Sequence, residues 1–188
     1  MIISGTEAQV NARLDTLKYT PNATFTGSDS LLITSVDSYG LVDSDSVAIT
    51  VSADNRALTV TGTSVNEASP YVLFSVSGAS GQYVSLSLGS GTATVGQDVA
   101  PALEYYDGSS WQAYHAGSIV QLVGTSLLVR AAVLQDSLAE GSETLTLTAL
   151  NQNQTSYSGN STIKDDGTGD VFLADNASLT PSPSNSAG

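Results

Sequence analysis

The sequence predicts an all-β protein built around an immunoglobulin-like antiparallel β-sandwich. Three observations carry this. Charged residues make up only 12% of the chain, about half the ~25% of an ordinary globular domain. Ser, Thr, Gly, Asn and Val fill the gap, a mixture that suits strands and polar turns better than helix surfaces. Apolar residues alternate with polar ones in short runs, the period of a half-buried strand. Turn signals separate the runs: Ser77-Gly78, Gly89-Ser90-Gly91, Asp107-Gly108 and Glu140-Gly141, a spacing typical of sandwiches.

The elements follow in chain order. Thr6 with Gln9 three residues on fits a capping box, and Val10, Leu14 and Leu17 recur on one helical face, so a short helix is predicted within 6–18. From there period 2 takes over. Val47, Ile49 and Val51 share one face of a strand over 45–51, and a further strand is expected over 56–61. Val72, Phe74 and Val76 alternate with Leu73 and Ser75, and Val84, Leu86 and Leu88 with Ser85 and Ser87. Later, Leu127, Val129, Ala131 and Val133 form one stripe, and Leu145, Leu147 and Ala149 another between threonines. A boundary is predicted near 52–55. Residues 1–53 are too few for a sandwich and read as part of a preceding repeat, residues 54–168 form a full one, and the Ser-, Pro- and Asn-rich stretch 169–188 reads as a linker.

Charge and composition exclude several functions. Eighteen acidic residues against five basic ones give a net charge of −13, so no basic stripe exists to displace the counterions of nucleic acid. The chain has no cysteine, which rules out disulfides and thiolate zinc sites. No stretch approaches the ~20 apolar residues of a membrane-spanning helix, so no membrane insertion is expected. The opening Met1-Ile2-Ile3-Ser4-Gly5 lacks the charged and apolar regions of a signal peptide. An exported chain would then be a segment of a longer parent.

The carboxylates are gathered rather than scattered. Asp136, Glu140 and Glu143 fall within eight residues, immediately before a well-patterned strand and with no Lys or Arg nearby. Like charges held close in a turn repel unless a cation enters, and calcium is the hard ion that collects 6–8 oxygens from a loose carboxylate set. Magnesium, with its stricter octahedral geometry, ranks second.

Four motifs carry a resemblance. They are Val65-Asn66-Glu67-Ala68; Thr92-Ala93-Thr94 with Gly96-Gln97-Asp98; Asp136-Ser137-Leu138-Ala139-Glu140-Gly141-Ser142-Glu143; and Ile163-Lys164-Asp165-Asp166. In this order they resemble a Calx-beta domain over residues 56–168, the calcium-binding sandwich of sodium–calcium exchangers and many bacterial adhesins. The resemblance implies a calcium site at one sandwich end, formed by Glu67, Asp98, Asp136, Glu140, Glu143, Asp165 and Asp166. Two positions depart from the family's pattern: Val99 replaces the usual aromatic, and Gly167 cuts the final acidic run to two. The first segment resembles the C-terminal half of a bacterial cadherin-like repeat over 1–53, on Leu14–Asn22, Phe25–Ser30, Val36–Gly40 and Ser46–Val51. That resemblance implies calcium ligands at a repeat junction from Asp37, Asp43, Asp45 and Asp54. The competing reading is that Asp and Asn side chains cap their own turns.

Other signals point away from catalysis. His115 is the only histidine, and no G-x-S-x-G elbow accompanies it, so no enzyme is expected. Tyr105, Tyr106, Trp111 and Tyr114 flank the Asp107-Gly108 turn. This aromatic hairpin packs over the sandwich edge or, as the alternative function, binds a glycan or protein. Sequons at Asn22, Asn153, Asn160 and Asn176 arise by chance in so Asn- and Ser-rich a chain. The expectation is a secreted or cell-surface structural repeat whose partners are neighbouring repeats and, through the parent, surface glycans or proteins.

Overall fold

The computed structural model describes residues 1–22, 24–136 and 140–181; Ser137, Leu138 and Ala139 of the acidic run, and 182–188 of the expected linker, lie outside the described residues. The chain forms two units, Met1–Ala53 and Asp54–Gly188. No helix among the described residues is long and apolar enough to cross a membrane.

The first unit opens with α1 (Glu7–Leu14). Its capping box is present: the Gln9 N–H donates to Thr6 Oγ1, and the Thr6 N–H donates to Gln9 Oε1 at 2.9 Å. The helix stops short of Leu17 because the Thr16 hydroxyl takes the Arg13 carbonyl at 2.8 Å, diverting the backbone from the helical ladder. β1 (Gly27–Val36) and β2 (Val42–Val51) then form a two-stranded antiparallel hairpin with Leu31 opposite Val47 and Asp29 opposite Ile49. Asp37 shapes its loop, accepting the Tyr39 and Leu41 N–H groups at 2.8 and 2.9 Å. Leu31, Ile33, Ile49 and Val51 share one face and are half-buried, and no described residue of this unit is fully buried.

The second unit is the sandwich. One sheet has the order β3-β5-β10-β7-β8, with β3 (Thr59–Gly62), β5 (Tyr71–Ser77), β7 (Val99–Tyr106), β8 (Trp111–Tyr114) and β10 (Ser126–Val133). The other runs β4-β12-β11-β6-β9, with β4 (Ser64–Asn66), β6 (Tyr83–Ser90), β9 (Val120–Gln121), β11 (Ser142–Asn151) and β12 (Ser156–Lys164). The stripes read from the sequence meet between them: Val72, Phe74, Val76, Leu127, Val129 and Ala131 from one sheet, Val84, Leu145, Leu147 and Ala149 from the other, all essentially without solvent contact. Burying such side chains is worth about 1.5–3 kcal/mol each. The strand expected from Arg56 begins at Thr59 instead, because the Arg56 carbonyl is taken by the buried Gln82 amide at 2.7 Å and by Asn151 at 3.2 Å.

The first strand changes sheets at Thr63. β3 pairs antiparallel with β5, and β4 pairs in parallel with β12, Thr162 opposite Ser64 and Lys164 opposite Asn66. The crossing brings two backbones together, so a Cβ at Gly62 would run into the Asn160 carbonyl and one at Gly159 into the Val60 carbonyl.

The linker expected from residue 169 is not free at its start. The Asp170 N–H donates to the Ser64 carbonyl and the Asn66 N–H to the Asp170 carbonyl, both at 2.9 Å. Phe172 is fully buried in the core cluster. Phe172, with Leu179 packed against the same core, docks a stretch whose average composition reads as polar.

Gly159→Ala is expected to lower the melting temperature in a thermal scan, overpacking costing about 1–3 kcal/mol. Gly89→Ala, where an added Cβ meets ordinary contact distance, should leave it nearly unchanged.

Candidate metal centre

The strand pairings gather the nominated carboxylates. β4 and β12 run parallel and end together, so Glu67, just after β4, lies beside Asp165, just after β12; the Glu67 N–H donates to the Lys164 carbonyl at 2.9 Å. β11 is antiparallel to β12, with Ser142 opposite Lys164, so Glu140 and Glu143 start their strand at the same pole. β10 ends where β7 begins, with Val133 opposite Val99, and the Leu134 N–H donates to the Asp98 carbonyl at 2.8 Å. This sets Asp98 and the outgoing Asp136 at that pole too.

Six of the seven predicted residues therefore converge. Carboxylate oxygens of Asp98, Glu140 and Glu143 lie within 4.8 Å of one another. They line one cavity with Glu67 and Asp165, together with Leu134, Gly141 and Ile163. An adjoining cleft shares Glu67 and Asp165 and adds Asp136, Asn66 and Gln135. Backbone amides tie the carboxylates to each other's loops: the Asp136 N–H donates to Glu67 Oε1 at 3.3 Å and the Glu140 N–H to Asp165 Oδ2 at 3.0 Å. Gly141, at φ +86°, supplies the left-handed turn between Glu140 and β11.

Asp166 does not join them. Its carboxylate accepts the Thr168 N–H at 2.9 Å and the Thr168 hydroxyl, which holds its pKa below the ordinary value. It is spent on the turn after β12.

Electrostatics sets the pole apart. Glu67, Glu140 and Glu143 are all held above the ordinary carboxyl range. Desolvation is the largest cause in each. The neighbouring carboxyls add to it: Asp98, Asp136 and Asp165 for Glu140, chiefly Asp98 and Glu140 for Glu143, and Asp165 and Asp136 for Glu67, where the Asp136 N–H partly offsets the rise. The ion pairs among the described residues are Arg56–Asp54 and Arg130–Glu104, so Glu67, Asp98, Glu140, Glu143 and Asp165 take part in neither.

The donor set is oxygen alone. Two oxygens on opposite sides of calcium stand about 5 Å apart, given Ca–O distances of 2.3–2.6 Å, and the oxygens of Asp98, Glu140 and Glu143, all within 4.8 Å of one another, are close enough to share one ion. Magnesium demands near-ideal octahedral geometry and keeps several waters, so a loose set of carboxylates suits it less. Zinc lacks its usual nitrogen or sulfur ligands, as the chain has no cysteine and His115 is exposed. Asn66 and Gln135 were not among the nominated ligands. Asn66 lies in the Val65–Ala68 motif and Gln135 next to Asp136, and that adjacency was the available signal.

The other candidates have different roles. Asp54 is held by the Arg56 guanidinium at 2.9 and 2.6 Å, which lowers its pKa, so its charge is already neutralised. Asp37 caps its own loop, and Asp43 and Asp45 are exposed on β2. In the aromatic hairpin, Trp111 packs edge-on against Tyr106 with centroids 5.5 Å apart. The Tyr114 hydroxyl donates to the Ser118 carbonyl at 2.7 Å and accepts the Leu86 N–H.

No family model matches the chain, and no curated protein matches it. Among solved structures, the apo form of the Calx CBD1 domain is 14% identical with a TM-score of 0.40, the match covering 58% of this chain and 97% of that one. CBD12 from CALX1.2 is also 14% identical, with a TM-score of 0.42 over 58% of this chain and 45% of that one. The collagen-binding subdomain of the Enterococcus faecalis surface protein ACE is 13% identical, with a TM-score of 0.31 over 60% of this chain and 99% of that one. Likenesses this loose assign neither a ligand nor a role to this chain.

Proposed function

We propose that the sandwich is a calcium-binding structural module of a secreted or cell-surface adhesin-like protein, one repeat among others and without catalytic activity. The observation that carries this reading is the meeting of Glu67, Asp98, Glu140, Glu143 and Asp165 around one cavity in which three glutamates are pushed toward protonation by desolvation and by the neighbouring carboxyls. Bound calcium supplies the positive charge that lets these groups stay ionised side by side. The residues hold it by their carboxylate oxygens, beside the buried Ile163. Because the site is assembled only by folding, ion binding adds to stability. Extracellular calcium modules have dissociation constants of about 10⁻⁴–10⁻³ M. A hundredfold excess over the dissociation constant stabilises by about 2.7 kcal/mol.

The alternative, a glycan- or protein-binding module using the Tyr105–Tyr114 hairpin, has less support. Trp111 already stacks on Arg130, 4.1 Å from its ring centroid, and donates Nε1–H to the Asn176 carbonyl at 3.1 Å.

Calcium at a hundredfold excess should raise the melting temperature by several degrees, and a chelator should reverse the gain. Calorimetric titration of Asp98→Asn and Glu143→Gln should show calcium affinity at least about tenfold weaker, as each removes one charged ligand. Asp166→Asn should bind as the unaltered chain does. An unchanged melting temperature in chelator and calcium alike would sink the calcium reading.

The acid response has a definite sign. A carboxyl whose folded pKa is raised contributes stability that is complete below the unfolded value, near 4.5, and is lost as pH rises through the folded one. In chelator, then, the melting temperature should climb as pH falls from 7 toward 5. Asp54, Asp107 and Asp166 are shifted down, Asp107 to about 2, so their contributions persist until pH drops below 3.8 and do not mask the rise. In saturating calcium the slope should reverse, since protons then compete with the ion. A scan with the same slope in both buffers would contradict this.

A further inference from the structure

The edges of the sandwich are guarded by shortness, and those of the hairpin in the first unit are not. β3, β8, β4 and β9, the edge strands of the two sheets, are four, four, three and two residues long. Edges so short offer little template for a further strand. β1 and β2 are ten residues each, and because their sheet has only these two strands, both are edges. They pair without a bulge from Gly27–Val51 to Val36–Val42. Neither holds a Lys, Arg or Pro, the residues that usually blunt an edge. A two-stranded hairpin is marginal in water and gains stability from further strands.

The two edges differ in charge. Asp43 and Asp45 lie on β2, whereas β1 carries Asp29 alone, near its start. The Asp37 N–H donates to the Leu41 carbonyl at 3.0 Å, and the antiparallel ladder alternates from that pair. The odd-numbered residues of β1 therefore direct their N–H and C=O groups at β2, while Ser28, Ser30, Leu32, Thr34 and Val36 turn theirs outward. Ser30 agrees with this: its N–H goes to the neighbouring Asp29 carboxylate at 2.7 Å. No outward backbone group of β1 meets another backbone group among the described residues. Leu32 and Val36 are 67% and 63% exposed.

We infer that the outer edge of β1 is a self-association surface whose partner is β1 of a second copy of this chain, the two strands running antiparallel about a two-fold axis at Leu32. Such an interface is self-complementary. In this register Ser30 exchanges backbone hydrogen bonds with Thr34 of the second copy, and Ser28 with its Val36. Leu31 stands opposite Ile33 of the second copy, and Asp29 opposite its Ser35 rather than another carboxylate. Residues of like parity are paired, so the apolar faces join. Leu31, Ile33, Val47, Ile49 and Val51 of both copies then lie on one side of a four-stranded sheet. β2 offers no such match, because pairing it with itself sets Asp43 and Asp45 against the aliphatic residues 47–51. The inference is independent of the cation at the sandwich pole.

Sedimentation equilibrium of the unaltered chain in chelator should show the 19.2 kDa monomer in exchange with a dimer, with a dissociation constant below about 1 mM. Monomer alone up to that concentration would overturn the inference, the edge then being reserved for a strand of different sequence. Hydrogen exchange locates the contact without any variant. The Leu32, Thr34 and Val36 amides should be open in dilute solution and slow at least about tenfold in concentrated solution. Dimers that leave these amides open would place the contact elsewhere and overturn it. Leu32→Lys and Leu32→Glu each set like charges against each other across the axis and should weaken association at least about tenfold. An equimolar mixture of the two should restore it, and unchanged association of both variants would count against the register. Salt should tighten the dimer, since copies of net charge −13 repel; loosening by salt would mean an ionic contact and would contradict the pairing.

Discussion

Parallel pairing of β4 with β12 is the constraint on which the sandwich unit depends. An antiparallel first strand would place its end at the opposite pole from the end of β12. Here the first strand starts in one sheet, leaves it at Thr63 and finishes in the other, with Lys164 opposite Asn66. The residues after both strands, Glu67 and Asp165, are thereby forced side by side. The same register places the start of β11, with Glu140 and Glu143, against the end of β12. Glycines at 62 and 159 make the crossing sterically feasible. Electrostatic strain at the pole is thus a product of topology, maintained by a hydrophobic core that reaches it at Ile163.

Three carboxylate environments in one molecule show what the pole lacks. Asp54 has a guanidinium. Asp107 has none, but accepts the Ser109 and Ser110 N–H groups and the Ser109 hydroxyl, enough to bring its pKa to about 2. In both cases hydrogen-bond donors outweigh desolvation. At the pole the balance is reversed: burial and like charge dominate for Glu67, Glu140 and Glu143. A merely solvated acidic edge would leave such groups spread apart in water, where repulsion at ε ≈ 80 is about 1 kcal/mol even at 4 Å. Here they are drawn over Leu134 and Ile163 into one cavity.

Much of this was legible in the sequence because strand alternation is a local signal. The stripes Val72–Val76, Leu127–Val133 and Leu145–Ala149 are buried as their period requires, and the capping box at Thr6 is formed as its spacing requires. The convergence of Glu67 and Asp98 with the Asp136–Glu143 run was legible only through the resemblance, since no local pattern links residues 67, 98 and 165. Three features were hidden for physical reasons. Asp166 is adjacent to Asp165 and chemically identical to it, yet Thr168 two residues later captures it. Asp54 was expected at a repeat junction, yet Arg56 two residues later takes its carboxylate in an ion pair at 2.6 Å. Phe172 sits in a stretch whose average composition reads as linker, and burial is decided by the one side chain that finds a pocket.

The end of β12 ties these features together. Between Lys164 and Asp170 the chain passes from one edge of β4 to the other: Lys164 pairs with Asn66 on one side, and Asp170 exchanges hydrogen bonds with Ser64 and Asn66 on the other. The bend that makes this possible carries Asp165 on the cavity wall, Asp166 capping its own turn, and two glycines in left-handed conformations. β4 is only three residues long, too short to hold its place by its own ladder. One continuous segment bracketing it on both edges supplies the missing hydrogen bonds. Glu67, at the end of that short strand, is therefore positioned by residues a hundred places later in the chain. Removing the charge at Asp165 and removing the ring at Phe172 act on the same strand from opposite sides, and a double-mutant cycle between them would show coupling rather than additivity.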